Sequence, residues 1–168
     1  MSQSDADLLE RLNNVIIKAQ TAGANAADLL YAEGTSVTMS YRLGKPENLD
    51  RAEGIDLGLR VLVGKRQAIV SSSDCSDAAL DELVERAVAM ARVVPEDQFC
   101  GLADSEQLAN DIPDVDECDP VEPSATVLEA RAHDAEAAAR DVPGVTNSEG
   151  AEAGWSRSRV AIAASNGF

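Results

Sequence analysis

Gly54-Ile-Asp-Leu-Gly-Leu-Arg-Val-Leu-Val63, Gly64-Lys65 and Arg66-Gln-Ala-Ile-Val-Ser-Ser72 together decide the fold. Ile55, Leu57, Leu59, Val61 and Val63 occupy every second position, the cleanest alternation in the chain. A period of two puts all five on one face of a half-buried strand. Gly64-Lys65 is short enough to be a hairpin turn, so the strand that follows runs antiparallel.

Upstream, the alternation continues in shorter runs. Residues 36–43 place Val37, Met39, Tyr41 and Leu43 on one face, residues 27–32 read as a short strand, and Gly44-Lys-Pro46 reads as a turn. Residues 47–52 are polar and suit an edge strand. At both ends the period becomes helical. Leu8, Leu9, Leu12, Val15, Ile16 and Ala19 share one helical face, and Gly23 is placed to end that helix. Leu80, Leu83, Val84, Ala87, Val88 and Ala91 share another, behind a Ser76 cap. Helix, four or five tightly connected strands and helix, each with one apolar face, predict an α+β domain. Its antiparallel sheet has the helices packed on one face.

Residues 95–123 break this pattern. Between Arg92 and Arg131 there is no Lys or Arg, but there are eleven acids and four prolines (Pro95, Pro113, Pro120, Pro123). Proline excludes continuous helix or central strand, so the stretch reads as an acidic, solvated linker. Its acids lack the D-x-D-x-D-G spacing of a calcium loop. A helix capped by Ser124 and running to about Arg140 follows, then strands at 145–149 and 155–165. Asn166-Gly167 is a strong hairpin-turn signal and is followed only by Phe168. The expectation is an N-terminal piece of a longer protein: residues 1–94 a first domain, 95–123 a linker, and 124–168 the start of a second, truncated region.

The 168 residues carry a net charge of −16, which disfavours direct contact with nucleic-acid phosphates or anionic membranes. At 45% apolar but only 3% aromatic, the chain builds an aliphatic core. There is no basic-then-apolar leader and no run approaching the ~20 apolar residues of a membrane span. Three cysteines without C-x-x-C spacing suit reduced thiols. The location expected from these features is cytoplasmic.

Chemistry-bearing motifs are absent. His133 is the single histidine, and His133-Asp-Ala-Glu136 lacks the second histidine of H-E-x-x-H. Gly54-x-x-x-Gly58 lies in a strand with no Gly-Lys-Ser/Thr after it. Ser71-Ser-Ser-Asp74 has no nearby base and reads as turn and capping residues. No catalytic, cofactor-binding or metal-ligating residue is assigned.

The run 54–63, then Ser71-Ser-Ser-Asp74 and a helix ending Ala-Met-Ala-Arg92, resembles the N-terminal domain of the TldD/PmbA family. Pro95-Glu-Asp-Gln-Phe-Cys-Gly-Leu-Ala-Asp104 and Thr146-Asn-Ser-Glu-Gly150 resemble its PmbA branch, also called TldE. The resemblance runs from about residue 5 to residue 168. It implies a cytoplasmic component of a TldD/TldE-type metalloprotease acting on peptides and unfolded proteins. The zinc site, H-E-x-x-x-H, would lie in the second half of a TldD-like subunit. This chain would then be the non-zinc subunit, with no cofactor of its own, paired with a TldD-like partner or with itself. A bare sheet face, or the polar strand 47–52, could meet a partner or an extended peptide. The alternative, following the family's older label of modulator of DNA gyrase, is a non-enzymatic acidic regulator of gyrase or another DNA-binding protein.

Overall fold

The computed structural model describes residues 4–109 and 111–168. The element order is α1 (Asp5–Thr21), β1 (Ala26–Arg42), β2 (Lys45–Val63), β3 (Arg66–Ser72), α2 (Asp77–Val93), α3 (Ala125–Arg140) and β4 (Ala151–Ala164), with a single 3-10 turn at Ser105–Gln107. The four strands form one antiparallel sheet in the order β3-β2-β1-β4.

The deciding hairpin forms as its alternation requires. Leu57 pairs with Ser72, Leu59 with Val70, Val61 with Ala68, and Val63 with Arg66, around the two-residue turn Gly64-Lys65. Gly64 takes a φ of 60° there, a left-handed conformation that costs glycine little, and its N–H donates to Asn25 Oδ1 at 2.6 Å.

Strand lengths differ from the sequence reading. Segments 27–32 and 36–43 join into β1, and segments 47–52 and 55–63 join into β2. The polar breaks at Glu33-Gly34-Thr35 and Glu53-Gly54 do not interrupt the strands, because neighbouring strands satisfy the backbone whatever the side chains are. The turn between them is Leu43-Gly44, with φ of 50° and 80°. Two successive positive values define the type I′ turn that suits a twisted hairpin. The expected strand at 145–149 is not formed. Pro143-Gly144 turns the chain instead, Val145 N–H donates to Val142 O at 3.1 Å, and β4 begins at Ala151.

By internal contacts the chain forms two compact units. One gathers the chain up to Glu33 with Ile55–Pro113 and Arg159–Phe168; the other gathers Gly34–Gly54 and Asp114–Ser158. Neither is contiguous, because the long strands β1, β2 and β4 contribute to both.

In the first unit, Leu8, Leu12, Val15, Ile16 and Ala19 of α1 and the six apolar residues of the α2 face meet Ala27, Leu29, Leu57, Leu59, Val61 and Ala68 of the sheet. Leu12, Leu29, Leu57, Leu59 and Leu83 are fully buried, and each such side chain contributes about 1.5–3 kcal/mol by leaving water. Leu9 and Ile55 sit at the rim, 41% and 37% exposed. Ser4 caps α1 through Asp7 N–H at 3.1 Å, and Ser76 caps α2 through Ala79 N–H at 3.4 Å. Gly23, at φ 110°, carries the chain out of α1 as expected. In the second unit a smaller core joins Val37, Met39 and Tyr41 of β1 to Leu128 and Ala132 of α3, with Ala153 and Trp155 of β4 half-buried against them.

Candidate functional site

The residue types that carry hydrolytic or metal chemistry are dispersed. His133 stands edge-on to the Tyr41 ring, with centroids 5.3 Å apart at 88°, and its Nδ1 lies 3.0 Å from Asp134 Oδ1. Cys75 is half-buried, Cys100 buried and Cys118 exposed; all three are free thiols. Among the described residues no group of three or more His, Cys, Asp and Glu could hold a metal ion. Ser71-Ser-Ser-Asp74 forms the expected turn. Asp74 N–H donates to Ser72 Oγ at 3.1 Å, and Asp74 Oδ1 accepts from Ser76 N–H at 2.8 Å. That backbone bond is the main cause holding the Asp74 carboxyl below the ordinary carboxylate range.

One small pocket, about 120 Å³, opens in the first unit between leucines of α1, α2 and β2. Arg11, Tyr31 and Cys75 form its polar lining. Each is already engaged or inert. Arg11 donates to Cys75 O and to Asp77 Oδ1, the latter at 3.0 Å. The Tyr31 hydroxyl donates to Glu33 Oε2 at 3.2 Å, and its pKa is raised by burial first and by the Glu33 carboxylate second. Burial also pushes the Cys75 thiol up, which works against the thiolate a nucleophile needs.

The second unit holds a buried carboxylate that sequence reading passed over. Glu136 is 2% exposed on α3. Its Oε1 accepts from Leu43 N–H at 2.6 Å and its Oε2 from Gly44 N–H at 3.0 Å. Both loop N–H groups of the type I′ turn are thus bound by one side chain. The Gly44 bond is the largest cause of a pKa below the ordinary glutamate range; burial opposes it, and the Leu43 and Ser148 bonds assist. A signal was present in the sequence: Leu128, Ala132 and Glu136 recur at i, i+4 and i+8, so the glutamate lies on the apolar stripe of its helix. The role is structural clamping of the hairpin tip.

What remains open to a partner is sheet surface. In the first unit Leu30, Ile69, Val160 and Ile162 are 41–66% exposed on alternate positions from the buried set. Beside them Arg60 Nε donates to Asp28 Oδ2 at 2.9 Å. In the second unit every residue of β2 from Lys45 to Gly54 is exposed. β3 pairs only with residues 57–63, so among the described residues the outer edge of 45–54 has no strand beside it.

The family model described as PmbA/TldA metallopeptidase domain 1 matches residues 27–91. Metalloprotease PmbA of Escherichia coli O157:H7 is 32% identical over 155 residues, covering 89% of this chain and 34% of that protein. A Metalloprotease PmbA homolog of Haemophilus influenzae is 29% identical over 116 residues, covering 69% of this chain and 26% of that protein. The crystal structure of TldE from Thermococcus kodakarensis superposes with a TM-score of 0.75 at 16% identity, over 94% of this chain and 35% of that one. A Bacteroides thetaiotaomicron structure that bears the name of a modulator of DNA gyrase superposes at 0.73 and 18% identity, over 98% of this chain and 38% of that one. The fold is that of the domain described as PmbA/TldA metallopeptidase domain 1, with no metal-ligating cluster among the described residues. The chain belongs to the PmbA/TldD family. It spans about a third or less of the length of the curated relatives it matches.

Proposed function

We propose that this chain is the first-domain part of a PmbA/TldE-like, non-zinc component of a TldD/TldE-type metalloprotease complex. The complex acts on peptides and unfolded proteins in the cytoplasm. The observation that carries the reading is the 32% identity with Metalloprotease PmbA across 89% of the chain. The non-zinc assignment rests on the PmbA names of the two sequence relatives and on the stretches 95–104 and 146–150. One exposed histidine and three separated thiols do not themselves make a zinc centre, which needs three or four converging ligands, and the family's zinc motif lies outside this stretch in either branch. In this reading the zinc is carried by a TldD-like partner. No helix among the described residues is long and apolar enough to cross a membrane.

The test is metal analysis of the purified chain together with a casein or peptide cleavage assay, alone and mixed with a zinc-carrying partner. The expected result is no stoichiometric zinc and no cleavage alone, with cleavage in the mixture. One tightly bound zinc per chain, with cleavage lost in His133→Ala, would overturn the reading. A regulator of a DNA-binding protein is the second reading, favoured by the net charge of −16 and the gyrase-modulator name of one structural neighbour. Carboxylate mimicry of DNA weakens steeply as salt rises, whereas packing of apolar surface does not.

A further inference from the structure

Of the chain's asparagines, Asn166 alone is followed by glycine. Glycine has no Cβ to shield its backbone nitrogen, which can therefore reach the preceding side chain. Here that side chain is also a tether. Asn166 Nδ2 donates to Ala103 O at 2.9 Å, and six residues before Ala103 the Asp97 N–H donates to Lys65 O at 2.7 Å. Lys65 lies in the turn after β2 and Asn166 in the turn after β4, which the antiparallel order β3-β2-β1-β4 places at the same end of the sheet. Residues 97–103 thus form a strap from one turn to the other, with Cys100 buried between the two holds. We propose that Asn166 is a site of spontaneous deamidation, and that its conversion to aspartate or isoaspartate releases the strap.

The reaction needs only water. The Gly167 backbone nitrogen gives up its proton and bonds to Asn166 Cγ, and Nδ2 leaves as ammonia. Water then opens the cyclic imide. Breaking the new bond to Cγ gives aspartate; breaking the original peptide bond gives isoaspartate, with the chain running through Cγ. Both products lose the donor that holds Ala103. A carboxylate only accepts, as does the Ala103 carbonyl, so attraction becomes repulsion. Isoaspartate also adds a carbon to the backbone of a turn in which Gly167 N–H donates to Ala164 O at 3.1 Å and Ala164 N–H to Phe168 O at 3.2 Å. While that turn is closed it resists attack. The Gly167 N–H is engaged, Gly167 is fixed at a φ of 97°, and the side-chain amide is held by Ala103 O and by Phe168 N–H, the latter at 3.4 Å. Conversion therefore proceeds through transient local opening of the turn. A strap that has let go is then kept from closing again, so the site records opening irreversibly. This holds whether or not the peptidase reading does.

The test incubates the full 168-residue chain at mildly alkaline pH, follows each asparagine by peptide mass spectrometry, and separates converted from unconverted chain by ion exchange. Iodoacetamide labelling of the cysteines then reads the strap. Asn166 is expected to convert before any other asparagine, and faster still in urea, where the turn no longer protects it. The converted fraction should label at Cys100 several-fold faster than the unconverted one, with the exposed Cys118 unchanged as the internal standard. Freshly prepared Asn166→Asp should show the same rise at Cys100. Asn166→Gln, whose ring would be one atom larger, should not convert at that position. If Asn166→Asp perturbs folding by circular dichroism, the two fractions of the aged parent chain decide. An Asn166 that stays intact in the folded chain while the urea-unfolded chain converts overturns the proposal. So does a converted fraction whose Cys100 is as protected as that of the unconverted one.

Discussion

At the scale of single residues, Glu136 carries the sharpest consequence. Its carboxylate holds two turn N–H groups, and its pKa lies below the ordinary glutamate range. A carboxylate depressed in the folded state contributes fully above its unfolded value of about 4.3, and the contribution is lost as pH falls through the lower folded value. The fluorescence of Trp155, the sole tryptophan and part of the same unit's core, should therefore report loosening of this unit below about pH 4. Glu136→Gln presents one acceptor oxygen and turns an amide N–H toward a backbone N–H. It should lower the melting temperature at neutral pH and flatten the acid-side dependence. An unchanged acid profile in that variant would show that the clamp does not couple to folding. His133, only three residues away, is exposed and stands edge-on to Tyr41. Position on the helix face, not residue type, separates the two.

Among the elements, β2 is the most informative because it is buried at one end and bare at the other. Leu59 is fully buried and pairs across to Val70; Arg60 faces the other way and binds Asp28. Leu59→Asp should unfold the first unit. A buried, unpaired carboxylate costs roughly 3–5 kcal/mol or more, against a typical domain stability of roughly 5–15 kcal/mol. Arg60→Asp loses a partly exposed ion pair and sets two carboxylates together, a cost of about 1 kcal/mol that the fold survives. Thermal melts of both variants check this, and equal midpoints would mean the buried face is misassigned.

For the whole molecule, the acidic stretch is not uniform. Asp97 N–H donates to Lys65 O at 2.7 Å, Cys100 is buried, and Asn166 Nδ2 donates to Ala103 O at 2.9 Å. A 3-10 turn follows at Ser105–Gln107, boxed by Asp104 and Gln107. Among the described residues, 111–119 make local side-chain bonds such as Asp116 N–H to Asp114 Oδ1 at 3.1 Å, and all are exposed. Further on, Pro120 O accepts from Arg157 at 2.9 Å. Little burial opposes chain entropy between residues 111 and 119. Limited Glu-C digestion should therefore cut first after Glu117, well before Glu96 or Glu106. A first cut after Glu96 or Glu106 would show that the tethers at Lys65 and Asn166 do not hold in solution.

The sequence by itself determined the parts whose signal is local and periodic. These are the helices with their Ser76 and Ser124 caps, the Gly64-Lys65 hairpin, the buried face of 57–61, the proline-broken acidic stretch and the family resemblance. Burial of a one-faced pattern leaves few other solutions, so such features are legible without tertiary structure. Strand lengths were not legible, because polar residues such as Glu33 and Glu53 stay extended when neighbouring strands take their backbone bonds. Nor was the Leu43-Gly44 turn, where a non-glycine residue accepts a positive φ with its N–H held by Glu136 from 93 residues away. The docking of 97–103 and the unpaired edge at 45–54 likewise depend on which segments meet in space. Contacts distant in sequence leave no periodic trace, so only the tertiary structure could decide them.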